Sequence, residues 1–60
     1  MSIYTWLANN ATYIGDDTWE SGDYIFELLN NGRWDVYFFR GLILIDAEGS
    51  EVVDYLRGLE

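Results

Sequence analysis

Eleven carboxylates, with no histidine and no cysteine, define the chemistry this 60-residue chain can attempt. Without imidazole or thiol there is no thiol nucleophile, no imidazole base and no ordinary zinc site, so catalysis or metal binding would fall to paired acids. Asp16 with Asp17, and Asp35 with Asp46, are the formal pairs for acid–base work on a glycoside or for holding magnesium. Neither pair is specific. Adjacent acids in a loop usually face water, and a chain this short lacks the volume for a cleft of about 300 Å³ beside its core. Gly15-Asp16-Asp17-Thr18-Trp19-Glu20 lacks both the ligand spacing and the length of a calcium loop. Phosphate-cradling loops and basic patches are absent. The expectation is a binding protein with no catalytic residue, no cofactor and no metal.

The acids stand against three arginines and no lysine, for a formal charge of −8 and a pI near 4.1. Such a surface repels DNA, RNA and anionic membranes and favours a basic partner. Acidity serving solubility or life in high salt is the plainer alternative. No apolar run approaches the roughly 20 residues of a membrane span, and MSIYTW lacks the basic-then-apolar pattern of a secretion signal, so a cytoplasmic protein is expected.

Positioning these acids falls to one small domain over residues 1–60, near the lower size limit for a core without cross-links. Eleven aromatic residues compensate, because each buried ring removes a large area from water. Ser2 is a fitting N-cap, and Ile3, Leu7, Ala11 and Ile14 recur at helical spacing beside Trp6, which predicts a helix over 3–10 ended by Asn9 and Asn10. An edge strand over Tyr4 to Leu7 is the alternative. From Ala11 to Asp23, two turn clusters bracket Thr18-Trp19-Glu20, which predicts a loop or a short irregular hairpin. Asp16, Asp17, Glu20 and Asp23 crowd this segment without a basic residue, and repulsion favours an extended, solvated form until a partner neutralises it.

The stretch from Tyr24 to Asp46 holds most of the strong strand formers. Asn31-Gly32 predicts a two-residue type I′ turn, which sets Leu29 opposite Trp34 and, further along, Phe26 opposite Tyr37. Alternation then puts Ile25, Leu29, Trp34, Val36 and Phe38 on one face, and Tyr24, Phe26, Leu28, Tyr37 and Phe39 on the other. The second, aromatic face is the candidate for exposure, because tyrosine hydroxyls tolerate water; a fully covered sheet or a homodimer interface are the alternatives. Arg40-Gly41 predicts the next turn, leading to a third strand over Leu42 to Asp46 with Asp46 opposite Asp35, a clash unless something positive sits there; a continuous bent strand is the other option. Ser50 is expected to cap a final amphipathic helix in which Val52, Val53, Leu56 and Leu59 form the apolar stripe. The fold class is therefore α+β: a short N-terminal helix, an antiparallel sheet of two to three strands, and a C-terminal helix packed on one face.

In size, charge and layout the chain resembles the small acidic inhibitors that phages encode, anti-CRISPR proteins and other DNA mimics among them. The resemblance covers the whole chain as a pattern and carries no family residue over. It implies occlusion, without catalysis, of a DNA-binding groove in a CRISPR effector or similar host defence protein, in the cytoplasm of the infected cell. On this basis the partner-binding residues expected are Asp16, Asp17, Trp19, Glu20, Asp23, Tyr24, Asp35, Tyr37, Asp46, Glu48, Glu51 and Asp54: carboxylates in the role of phosphates, with Trp19, Tyr24 and Tyr37 as anchors. The partner is a basic protein surface rather than nucleic acid or membrane. The alternative is a protein-interaction module or homodimer that uses the aromatic sheet face.

Overall fold

Ser2 opens the first helix as its composition predicts. Its Oγ accepts a hydrogen bond from the Thr5 backbone N–H at 3.2 Å, and helix α1 runs Ile3–Asn10 with Ile3 and Leu7 buried. The two asparagines at its end bond locally to backbone, one of the two ways in which asparagine favours a helix end. Neither enters the left-handed region; Asn9 and Asn10 donate their side-chain amides back to the carbonyls of Thr5 and Trp6, at 3.0 and 2.9 Å. The computed structural model describes residues 1–59, and no helix among them is long and apolar enough to cross a membrane.

Five strands follow, not two to three: β1 Thr12–Gly15, β2 Thr18–Ser21, β3 Tyr24–Leu28, β4 Trp34–Phe38 and β5 Gly41–Ala47. All neighbours are antiparallel and the order across the sheet is the order along the chain. The segment read as a loop or irregular hairpin is thus two paired strands. Asp16 and Asp17 both take positive φ (52° and 56°), as a type I′ turn requires, and Gly22 (59°) holds the first position of the two-residue link to β3. Tyr13 meets Trp19 edge-on at 4.9 Å, and Trp19 pairs with Phe26 on β3. These ring contacts outweigh the mutual repulsion of the acids, which sit in the turns or point away from the rings.

The β3–β4 connection differs from a two-residue type I′ turn. The Gly32 N–H reaches the Leu29 carbonyl at 2.9 Å, and the Leu29 N–H reaches the Arg33 carbonyl at 2.7 Å, so the loop holds three residues, Asn30 to Gly32. Gly32 alone of the three has positive φ (83°), the arrangement of a type I turn closed by a glycine bulge. The Asn31 side-chain Oδ1 accepts from the Arg33 backbone N–H at 2.9 Å, holding the turn from within. One extra loop residue slips the register by one: Phe26 lies opposite Val36 rather than Tyr37, and Leu28 opposite Trp34. Because side chains alternate, that slip exchanges the faces of β3. Tyr24, Phe26 and Leu28 join Trp34, Val36 and Phe38 on one side; Ile25 and Glu27 join Asp35 and Tyr37 on the other. The exposed face of Tyr24, Phe26, Leu28, Tyr37 and Phe39 does not exist: Phe26 is fully buried.

Phe39 and Arg40 (φ 50° and 68°) make the next two-residue turn, and β5 returns beside β4 as a separate strand. The final helix, α2 Gly49–Arg57, starts earlier than a Ser50 cap implies. Glu48 is the N-cap residue, and its backbone N–H donates to Glu51 Oε1 at 3.2 Å. Both helices lie on the same side of the sheet and meet each other. Ile3, Leu7, Val52, Val53 and Leu56 close over Phe26, Trp34, Val36 and Ala47. Trp34 is the centre, with Tyr4 at 5.7 Å and Trp19 at 5.4 Å between ring centroids.

Two substitutions test this account. Asp17→Gly converts Asp-Asp to Asp-Gly, relieves the positive φ, and should stabilise the fold by about 1 kcal/mol, read as a rise of several degrees in melting temperature. Gly49→Ala should destabilise it by about 1–3 kcal/mol in urea unfolding, because a Cβ there would lie 2.9 Å from Ile3 Cγ2.

Candidate functional site

With both helices on one side, the other side of the sheet is bare. The strand registers determine what it displays. One row crosses β2, β3 and β4 as Thr18, Glu27 and Asp35; the next crosses all five strands as Thr12, Glu20, Ile25, Tyr37 and Leu42. Neighbouring strands in a sheet lie about 4.8 Å apart. Glu27 and Asp35 are therefore like charges set directly opposite each other, an arrangement that costs stability. Glu20 lies one strand over from Glu27 and diagonal to it, with Ile25 and Tyr37 alongside.

Asp35 is held in place by backbone: its Oδ1 accepts from the Asp46 N–H at 2.9 Å. That contact resolves the expected Asp35–Asp46 clash. A bulge gives Asp46 a positive φ of 50°, so its N–H meets Asp35 while its carboxylate turns to Arg33, whose Nε lies 3.2 Å from Oδ1. Tyr37 registers the field of the face. Burial raises its pKa above the usual tyrosine value, and the charges of Glu27 and then Asp35 push it further. Among the described residues no arginine pairs with Glu20, Glu27 or Asp35.

The twelve residues expected to bind a partner fall into separate groups. Glu20, Asp35 and Tyr37 share the bare face. Asp16 and Asp17 stand in the β1–β2 turn, and Asp23 in the β2–β3 turn at the other end of the strands. Asp46, Glu48 and Glu51 converge on Arg33 at 3.2, 3.2 and 4.0 Å, so one cation already serves three acids. Asp54 lies on α2, across the sheet. Trp19 and Tyr24 do not project from the bare face: both lie half-buried on the helix side. Tyr24 packs on Phe38 at 4.6 Å, and the neighbouring Tyr55 hydroxyl raises its pKa.

Glu27 and Ile25 belong to the face and escaped the sequence reading, because the two-residue turn puts Glu27 opposite Val36. The signal was present in Asn30-Asn31-Gly32, where glycine in third place suits a bulged three-residue loop as well as a tight turn. No pocket and no cluster of three metal-ligating side chains occur among the described residues. The chemistry available here is surface contact: carboxylates for cationic side chains, with Ile25, Tyr37 and Leu42 as the apolar part.

The field on Tyr37 gives a test that needs no partner. In the double variant Glu27→Gln, Asp35→Asn, which keeps shape and hydrogen-bond acceptors, the Tyr37 titration should move down towards the ordinary value, while burial keeps part of the shift. Absorbance titration at alkaline pH, with Tyr37→Phe to assign the component, reads this directly. An unchanged Tyr37 titration would mean the two carboxylates do not flank it.

No family model, curated protein or solved structure matches the chain.

Proposed function

We propose that this protein is a non-enzymatic, stoichiometric inhibitor whose bare sheet face occupies a basic nucleic-acid-binding site of a CRISPR effector or similar host defence protein. The observation that carries it is the acidic patch of Glu20, Glu27 and Asp35, unpaired with arginine and set around Tyr37 on the bare side of the sheet. A like-charge pair lowers stability, so its presence on an open face suits a surface built to meet cations. Duplex DNA offers a phosphate about every 3.4 Å of axis on each strand, and a groove lined with arginine and lysine accepts carboxylates at comparable spacing.

Mechanism follows from electrostatics and packing. The charge of −8 steers the molecule to a positive groove, which raises the association rate. Once there, Glu20, Glu27 and Asp35 take the cationic side chains that would bind phosphates, and Asp16 and Asp17 extend the acidic track beyond the strand ends. Ile25, Tyr37 and Leu42 supply a desolvated centre, which charge pairs alone do not provide. Inhibition is competitive and ends when the complex dissociates.

Titration against purified effectors, following release of labelled DNA, tests this. The wild-type chain should compete stoichiometrically at low salt and lose potency as salt rises. Glu27→Gln with Asp35→Asn should weaken competition at least about tenfold, whereas Asp54→Asn, across the sheet, should leave it unchanged. Absence of competition at low salt with excess protein sinks the proposal.

A further inference from the structure

The sheet has two free edges, and they differ. β1 is four residues long, whereas β5 spans seven, Gly41–Ala47, and hydrogen-bonds to β4 on one side only. From Gly41 to Ile45 this edge carries no charge and no proline. Leu42, Ile43 and Ile45 are 43, 38 and 70% exposed. Long apolar edges are templates for another strand, and folded proteins usually guard them with lysine, proline or inward charge. Here bulges are the sole guard.

From this geometry we propose that β5 pairs antiparallel with β5 of a second copy, across a two-fold axis at Leu44, to form a ten-stranded sheet. Three observations select a second copy as the occupant. The first is apolar matching. Leu44 packs towards the helices opposite Val36, while Ile43 and Ile45 on either side of it are 38 and 70% exposed. Pairing centred on Leu44 sets Ile43 of one copy against Ile45 of the other, apolar on apolar.

The second observation is charge. Arg33 must serve Asp46, Glu48 and Glu51 alone, leaving that cluster at −2, whereas Arg40 has no ion-pair partner among the described residues. In the Leu44-centred register Arg40 of each copy falls at the end of the partner strand that bears Asp46 and Glu48, so the attraction is made twice by symmetry. The third is closure. Joining β5 to the short β1 edge of another molecule would leave edges free and propagate a chain, whereas β5 on β5 closes as a dimer. The pairing leaves the patch of Glu20, Glu27 and Asp35 uncovered, so it stands independently of inhibition.

Sedimentation equilibrium of the wild-type chain from micromolar to millimolar concentration should show a monomer–dimer equilibrium. Ile45→Arg, at a largely exposed position, should raise the dimer dissociation constant at least about tenfold with an unchanged circular-dichroism spectrum, and Arg40→Glu should raise it several-fold. The chain has no cysteine, so register can be read by cross-linking. Oxidation of an equimolar mixture of Ile43→Cys and size-tagged Ile45→Cys copies should give the mixed disulfide over either homodimer. A monomer throughout, a dimer indifferent to Ile45→Arg, or cross-links without this preference would each overturn the proposal.

Discussion

The three-residue turn from Asn30 to Gly32 is the constraint on which the rest of the molecule depends. It determines which residue of β3 faces which residue of β4, and so brings Phe26, Val36 and Trp34 to the same side. Only then is there a continuous apolar floor for the two helices. Slipped by one residue, Phe26 would face water and the isolated pair Glu27 and Asp35 would be split between the two faces. Core and acidic face are therefore two results of one loop length.

Arg33, which follows that loop, ties it to the far end of the chain. Its guanidinium reaches the Asp46 carbonyl at 2.8 Å as well as the carboxylates of Asp46 and Glu48. The Asn31 amide adds a bond to Asp46 at 2.9 Å. Half-exposed ion pairs of this kind contribute little stability singly, but together they fix where β5 ends and α2 begins. The same cluster gives Asp46, Glu48 and Glu51 one shared cation, whereas Glu20, Glu27 and Asp35 on the bare face, like Asp16, Asp17, Asp23 and Asp54 elsewhere, have no arginine partner among the described residues.

Much of the architecture was legible in the sequence because it follows local rules. Ser2 and the Ile3–Leu7 spacing mark the first helix to its ends, and Val52, Val53 and Leu56 mark the second. What escaped depends on contacts between segments. Strands of four residues such as Thr18–Ser21 have too short a pattern to be seen, and Trp19 becomes a strand residue through Tyr13, Phe26 and Trp34. Asn31-Gly32 favours a tight turn by itself, but burial of Phe26 and the Asn31–Arg33 bond select the longer loop. The site inherits that error: Asp35 and Tyr37 were legible as candidates, whereas Glu27 joins them only once the register is known.

Strand order across the sheet repeats strand order along the chain, so each strand finds its partner after a link of two to five residues. Loop closures this short cost little entropy, and no crossover must wait for a distant segment. The chain can zip from any of its four hairpins, with helix docking as the chief long-range step. A domain this small has a shallow free-energy well, but one reached by local steps refills quickly after each opening. The acidic face is thereby sustained by rapid return to the native state rather than by resistance to leaving it.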